Sequence, residues 1–197
     1  MTSPAFRRAE PDARRQSLIE ATARVLADRG AAGVSVRTIC AEAAVSPGLL
    51  RHYFDGIDAL IAETYAWTGD VVDAALQAAV DSAGTDARAR LMAYVTASFR
   101  APIADGGLLA TWIAFWSLTR SNARMEAMHR QVYAEYLQGL ERLLAECGVA
   151  RADTRMNAVA MTALVDGLWL ELCLAPGTFT PEEASAAAER WIAKLLD

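Results

Sequence analysis

Apolar residues recur at helical spacing along most of this 197-residue chain. Between Arg14 and Arg29 they fall every three or four positions, and Gly30 follows as a C-terminal stop. Two much shorter periodic runs come next, at residues 36–43 and from Pro47 to Phe54. Each begins directly after a serine that can cap a helix, and the proline at the start of the second run suits a first helical position. The pattern therefore predicts three helices near the N-terminus, two of them very short.

The remaining sequence continues the same pattern and predicts six longer helices. Runs of β-branched residues, which favour strands, are nearly absent. We expect an all-α fold of about nine or ten helices. Residues 1–56, ordered from about residue 12, should form a three-helix N-terminal domain, and residues 57–197 a second helical domain. The six helices are predicted at approximately 57–80, 87–100, 107–120, 123–147, 155–175 and 181–196.

The two short helices and the tight corner between them are typical of a helix-turn-helix. The major groove of DNA is about 12 Å wide and accepts one helix, while the partner helix crosses the backbone. Such packing leaves polar residues outward and needs only a few apolar residues against the first helix: Ile39, Ala43, Val45, Leu50 and Phe54. An ordinary helical hairpin with solvated arginines is the alternative. The residues left outward would be Arg37, Ser46, Gly48, Arg51, His52 and Tyr53.

The charge distribution agrees with a DNA-binding N-terminal domain. The whole chain has a net charge of −5, but residues 1–54 carry eight arginines and five acidic residues, and the rest of the chain has a net charge of −8. A basic N-terminal region on an acidic body is expected when only that region meets a polyanion.

One stretch is similar to the tetracycline-repressor (TetR) family of transcriptional regulators. It reads Ile39-Cys-Ala-Glu-Ala-Ala-Val45-Ser46-Pro-Gly48-Leu-Leu-Arg-His52-Tyr53-Phe54 and is followed by Asp58-Ala-Leu60. The resemblance implies a dimeric regulator of transcription, a repressor that a small-molecule effector releases from double-stranded operator DNA. It assigns DNA binding to residues 1–56 and effector binding and dimerisation to residues 57–197. It also implies DNA contacts from the second and third helices, and Arg51 is the candidate for guanine. These contacts would come from Arg37, Thr38, Ser46, Pro47, Gly48, Leu49, Arg51, His52 and Tyr53.

Two positions depart from the family pattern. The corner usually carries glycine where this chain has Ala44, and an alanine with positive φ costs roughly 1–2 kcal/mol. The fourth helix usually begins with a lysine, whereas residues 55–58 include two aspartates and no base. We therefore expect the phosphate contacts to depend more on Arg7, Arg8, Arg14 and Arg15.

The C-terminal part resembles the BetI-like branch of the same family. The similarity is carried by residues 108–117, by Met128-His129 and by residues 164–170. One member of that branch responds to choline, so the resemblance implies as effector a quaternary ammonium or another apolar or cationic compound. Aromatic faces and a nearby carboxylate can hold a quaternary ammonium. The candidate ligand residues are Tyr65, Tyr94, Trp112, Phe115, Trp116, Asp166 and Trp169, with Glu171 as an alternative counter-charge to Asp166. Two structural roles compete with this interpretation: a core stripe for the aromatics, because Trp112 and Trp116 lie four residues apart, and an interhelical hydrogen bond for Asp166.

A dimer interface is predicted at the helices near 123–147 and 155–175. In the second helix an apolar seam has the three- and four-residue spacing of paired helices. The same seam could instead pack within its own chain. It comprises Ala158, Met161, Val165, Leu168, Leu172 and Ala175.

Several function classes are not supported by the sequence. It has no nucleophile motif or phosphate-binding glycine loop, so we expect no enzyme and no cofactor. The three cysteines lack metal-ligand spacing, so we expect reduced thiols, no metal and a cytoplasmic protein. Charged residues interrupt the apolar stretches, so no membrane partner is expected. Two rival classes stand beside the DNA-binding regulator. One is an all-α enzyme that uses the aromatic residues, for which the sequence has no motif. The other is a helical binding module that never meets DNA.

Overall fold

A computed structural model describes the backbone of residues 4–196 and the side chains of residues 12–196. Within these residues the chain forms nine α-helices, one short 3-10 helix at Ala31–Gly33 and no strand, which confirms the predicted all-α fold. The helices are α1 (Pro4–Arg29), α2 (Val36–Glu42), α3 (Pro47–Tyr53), α4 (Ile57–Ser82), α5 (Ala87–Ala97), α6 (Gly106–Thr119), α7 (Ala123–Glu146), α8 (Arg151–Leu174) and α9 (Pro181–Leu196).

The helix boundaries differ from the predicted ones mainly at two N-termini. Helix α1 begins at Pro4 instead of Arg14, because proline is well suited to a first helical position and alanine and arginine favour the helix. Helix α8 begins at Arg151 instead of residue 155, directly after the extended Ala150. Neither extension of these helices was visible in the apolar periodicity, because the added residues are mostly polar or small.

The chain divides into two compact units that are not continuous in sequence. The first extends to Thr68 and also includes Ala110–His129. The second consists of Gly69–Leu109 and the residues from Arg130 onward. The functional boundary that we place after residue 56 stays a prediction.

The first unit buries the helix-turn-helix against α1 and the start of α4. Its core cluster comprises Leu18, Ile19, Ile39, Cys40, Leu50, Phe54 and Leu60. Ile39 and Leu50 are fully buried and Phe54 is nearly so, which confirms the predicted packing against α1. Ala43 and Val45 are only half-buried at the edge of this cluster.

Local hydrogen bonds determine where the two short helices begin. The Ser35 side chain accepts from the Thr38 backbone N–H, and the Thr38 hydroxyl accepts from the Ser35 N–H, which makes a capping box at α2. At α3 the Ser46 hydroxyl accepts from the Leu49 N–H. The corner between the helices contains Ala44 with φ +53°, the left-handed conformation expected from the family pattern.

In the second unit, the apolar seam of α8 faces the interior of its own chain. Ala158 and Met161 are fully buried and Val165 is 3% exposed. The prediction that this seam pairs with a second chain is therefore wrong for its buried half, because helix periodicity locates an apolar stripe without saying what covers it. Leu168, Leu172 and Ala175, the rest of the seam, are half-buried. A different stripe of α8 is exposed, and it contains Met156, Ala160, Ala163, Gly167, Glu171 and Leu174.

Helix α8 is also the one described helix with the length and composition of a membrane span, with a mean hydropathy of 1.4 over 18 residues. Asp166 and Glu171 interrupt its apolar residues, and Met161 and Trp169 are buried within the unit. A core helix of a helical domain passes the same composition test, so this is weak support for a membrane segment.

Candidate nucleic-acid interface and effector region

A shallow groove separates α2 from α3 on the surface of the first unit. Its lining residues are Val36, Arg37, Cys40, Ala41, Ala44, Val45, Pro47 and Arg51. Arg37 and Arg51 are both exposed, and no carboxylate among the described residues pairs with either of them. A guanidinium fork matches phosphate oxygens and the acceptors of guanine, so the groove offers two cations suited to DNA.

The other predicted DNA contacts lie around the same two helices. Ser46, Pro47, Gly48 and His52 are exposed, and Leu49 is half-buried. Tyr53 is half-buried against the core cluster, and its ring meets His52 edge-on at 5.0 Å between centroids.

Thr38 differs from Ser46, whose exposed hydroxyl only accepts from the Leu49 N–H, because the Thr38 hydroxyl both donates and accepts within the protein. It donates to the Gly33 carbonyl oxygen at 2.9 Å and accepts from the Ser35 N–H at 2.9 Å. A phosphate would have to compete with these bonds, so the capping role of Thr38 is the one that its geometry supports.

The predicted phosphate-binding arginines separate into three cases. Arg14 is exposed, whereas Arg15 pairs with Glu63 of α4 and lies over the ring of Phe54. The side chains of Arg7 and Arg8 lie outside the described residues. Glu63 was not predicted as a functional residue, since no local pattern joins it to a residue 48 positions away.

Four of the predicted ligand residues form one aromatic cluster in the first unit. The Tyr65 ring meets Trp112 edge-on at 5.0 Å and Phe115 at 4.7 Å, and Trp112 stacks on Trp116 at 6.4 Å. Tyr65 and Phe115 are buried, so they form the core that the alternative interpretation expected. Trp112 is half-buried and Trp116 is 37% exposed, so a ligand could reach only these two indole rings.

The same cluster contains His129, which in the sequence stood out only as part of the family motif. Tyr65 Oη lies 2.8 Å from His129 Nδ1, and burial lowers the pKa of the imidazole. Burial also raises the pKa of Tyr65, which keeps the phenol protonated. The two side chains are 64 positions apart, so only the tertiary structure could reveal the bond.

The other three predicted ligand residues lie in the second unit. Trp169 is buried and its indole N–H donates to the Ile103 carbonyl oxygen at 2.9 Å, which gives it a structural role. Tyr94 is buried and stacks on Tyr136, with ring centroids 5.5 Å apart. Burial is the main reason that the pKa values of both phenols are raised.

Asp166 lies close enough to Tyr133 and Tyr136 for its negative charge to raise their pKa values. Loss of hydration raises the pKa of its own carboxyl from 3.8 to about 6, although the residue as a whole is exposed. Among the described residues, no basic side chain pairs with this carboxylate. It is therefore available as a counter-charge for a cation.

Known proteins match the two ends of the chain separately. Residues 18–64 match the tetR family of bacterial regulatory proteins, and residues 87–197 match the C-terminal domain of BetI-type transcriptional repressors. The chain belongs to the TetR family. It is thus a BetI-like transcriptional regulator from a family of regulators, not of enzymes, as the resemblance implied.

Relatives cover nearly the whole length of this TetR-family regulator. The HTH-type transcriptional regulator BetI of Burkholderia ambifaria is 32% identical over 93% of this chain and 94% of its own length. A regulator of Chromohalobacter salexigens, BetI 2, is 31% identical over 91% of this chain and 84% of its own.

Solved structures agree on the fold. A transcriptional regulator from Pseudomonas aeruginosa PAO1 superposes with a TM-score of 0.87, is 42% identical and covers 94% of this chain and 91% of its own. A regulator from Saccharomonospora viridis, solved in complex with choline, has a TM-score of 0.75 at 19% identity, over 91% of this chain and 95% of its own. At that identity the similarity establishes the shared fold alone.

Proposed function

We propose that this regulator is a homodimeric repressor that binds a two-fold symmetric operator and leaves it when an effector binds. The unpaired cations Arg37 and Arg51 in the α2–α3 groove carry the proposal. One helix-turn-helix reads only a few base pairs, whereas two of them in a dimer read half-sites about 34–36 Å apart. Operator DNA also implies that the protein works in the cytoplasm.

The exposed stripe of α8 is the surface that we assign to the dimer, together with the exposed face of α7. Met156 and Leu174 are 69% and 56% exposed in one protomer, which is unusual for large apolar side chains that lie on one helix face. Ala160, Ala163 and Gly167 lie between them, and side chains this small permit a second helix to approach closely. A self-complementary patch of this kind fits a two-fold interface.

The dimer is tested by adding a bulky charge to this stripe. A Cβ at Gly167 would meet no atom within 4 Å, so Gly167→Arg should fold normally in the protomer. We expect light scattering after size exclusion to show a monomer that no longer protects operator DNA. Ala186→Arg, at an exposed position of α9, is the matched control and should remain dimeric. A dimeric Gly167→Arg variant would exclude this face as the interface.

For the effector we infer a small organic cation. Two separate features favour a cation. In the first unit, the stacked indoles of Trp112 and Trp116 present aromatic faces, each giving about 0.5–2 kcal/mol to a cation. In the second unit, Asp166 offers a carboxylate that no described basic side chain pairs with. Tyr65 and Phe115 in the first unit and Tyr94 and Trp169 in the second are buried, so we assign each of them to the core of its own unit. The choline-bound S. viridis regulator supports the idea that this fold accepts such a cation.

Choline is the first probe, and thermodynamic reciprocity provides the test. A ligand that weakens operator binding must itself bind the operator complex less tightly, by the same factor. We expect isothermal titration to show weaker choline binding to the operator-bound protein than to the free protein. Equal affinities would remove the inducer role of choline, and tight binding to the complex would make choline a co-repressor.

A further inference from the structure

The geometry points to Arg15 as a positioning residue for DNA binding: it fixes the end of the recognition helix α3 to α4 and does not itself bind phosphate. The inference rests on the proposed DNA-binding function of the first unit. Its basis is one side chain from α1 that contacts Phe54, directly after α3, and Glu63, on the second turn of α4.

A guanidinium can make both contacts at once because its face and its edge act separately. The Arg15 guanidinium carbon lies 5.1 Å from the centroid of the Phe54 ring, while an N–H group at its edge donates to the Glu63 carboxylate. A lysine ammonium is a compact charge without a planar edge, so it cannot reproduce this arrangement.

Phe54 is well placed to transmit the position of Arg15 to the recognition helix. It is the C-cap of α3, its N–H donates to the Leu50 carbonyl oxygen at 3.0 Å, and its ring is 4% exposed within the core cluster. Only Asp55 and Gly56 separate it from the first residue of α4. Gly56 has φ +107°, a conformation that glycine adopts most readily, so the short connection depends on side-chain contacts for its angle.

The pair contributes little to folding, because the side chains of Arg15 and Glu63 remain 42% and 32% exposed to solvent. Its consequence is therefore expected in the orientation of α3 and not in the overall stability. The ion pair with Glu63 also neutralises the positive charge of Arg15, which a phosphate would otherwise bind. Arg15 differs in this respect from Arg37 and Arg51. In the described part of the chain, no carboxylate pairs with either of these two residues.

The test uses Glu63→Gln and Arg15→Lys in the full-length protein, with an operator selected by the wild type from random-sequence DNA. A wild type that selects no sequence would contradict the proposed function itself, before any variant is made. Loss of a carboxylate near DNA should strengthen binding by electrostatics alone. Positioning predicts the opposite sign, and we expect Glu63→Gln to weaken operator binding by roughly fivefold, a typical coupling for one contact.

Arg15→Lys should weaken operator binding to a similar extent, and the double variant should be no weaker than either single one, because all three break the same link. The salt dependence of binding should keep its slope, since no phosphate contact is lost. Glu42→Gln is the matched control: Glu42 pairs with Arg24 across α1 and α2 at 2.7 Å, and the cation–π contact described in this unit belongs to Arg15. It should bind the operator at least as tightly as the wild type.

Three results would overturn the inference. One is tighter or unchanged operator binding by Glu63→Gln. Another is an Arg15→Lys variant that binds like the wild type while Arg15→Gln reduces the salt slope by about one, the behaviour of a phosphate contact. The third is an equal loss in Glu42→Gln. If Arg15→Lys melts early, Glu63→Gln decides alone, because the sign of its effect separates positioning from electrostatics.

Discussion

Tyr65 of α4 and His129 of α7 are joined by a hydrogen bond of 2.8 Å between the phenol oxygen and Nδ1. Tyr65 is 1% exposed and its ring packs against Trp112 and Phe115, so the bond lies where water competes poorly. Tyr65 belongs to α4, the helix that directly follows α3. Within the first unit, this hydrogen bond and the ring contacts hold the Tyr65 side chain in place.

Replacement of Tyr65 by phenylalanine tests the strength of that bond. The ring contacts are kept and the imidazole loses a buried partner, so we expect a loss of about 1 kcal/mol in the free energy of unfolding. Urea titration measures it. Tyr53→Phe is the control, because Tyr53 is half-buried and has no hydrogen bond among the described contacts. Equal losses in the two variants would show that the phenol bond adds nothing specific.

The imidazole of His129 predicts a pH dependence of stability. Burial lowers its pKa in the folded state below the usual value of 6.5, so the unfolded chain binds more protons around that pH. Stability from this group is thus complete above about pH 6.5 and falls as pH decreases below it. We expect the free energy of unfolding to decrease less steeply between about pH 7 and pH 5 in His129→Gln than in the wild type. An unchanged slope in the variant would assign the dependence to other groups.

The positive φ of Ala44 predicts that glycine at this position would stabilise the helix-turn-helix. An alanine at φ +53° is strained by roughly 1–2 kcal/mol, and glycine removes that strain while adding some freedom to the unfolded chain. We expect Ala44→Gly to raise the free energy of unfolding by about 0.5–1 kcal/mol, measured by urea titration. Ala41→Gly, at an exposed position inside α2, should lower it by a similar amount. A loss in both variants would mean that the corner tolerates alanine without strain.

The local features of this fold could be read from the sequence, and the long-range ones could not. Ser35, Ser46 and Pro47 determine helix starts through their immediate neighbours, so α2 and α3 were predicted within a residue or two of their observed ends. The positive φ of Ala44 followed from the family pattern at that corner. Each of these features depends on residues fewer than five positions apart.

The candidate sites show the limit of that approach. The aromatic residues of the predicted ligand set could be selected from the sequence. Periodicity could not show that the Trp169 indole donates to the Ile103 carbonyl oxygen or that the Tyr65 phenol bonds to His129. Arg15 looked like a free cation because Glu63 is 48 positions away. The buried seam of α8 and its exposed stripe both have helical spacing, so only the fold could tell them apart.

Arg51 and Arg37 should contribute differently to operator binding although they line one groove. Arg51 lies on the recognition helix, so Arg51→Ala should cost about 1–3 kcal/mol and relax the preference at one base position. Arg37→Ala should weaken binding to all sequences and lower the salt slope by about one. Fluorescence anisotropy on a set of single-base operator variants measures both effects.

Arg29→Ala is the charge-matched control for these two variants, because Arg29 is exposed at the end of α1 and does not line the groove. It should change operator affinity only slightly. A uniform loss across all base positions for Arg51→Ala would make Arg51 a second phosphate contact and leave the reading of bases to other residues of α3.

Replacement of Asp166 by asparagine should raise the stability of the protein and weaken its binding of the effector. The carboxyl pKa of Asp166 is raised from 3.8 to about 6 by loss of hydration, so the folded state favours the neutral form. The stability that this group adds is complete below about pH 4 and is lost as pH rises through 6. Asparagine keeps the shape and removes the charge.

At pH 7.5 we therefore expect Asp166→Asn to raise the free energy of unfolding by about 1 kcal/mol, a value reduced for the exposure of the residue. The gain should disappear near pH 4, where the wild-type carboxyl is already protonated in both states. The variant should at the same time bind choline more weakly, by roughly tenfold, because the cation loses its counter-charge. Greater stability with unchanged choline affinity would mean that the raised pKa of Asp166 reflects packing alone, and the counter-charge would have to be sought elsewhere in the protein.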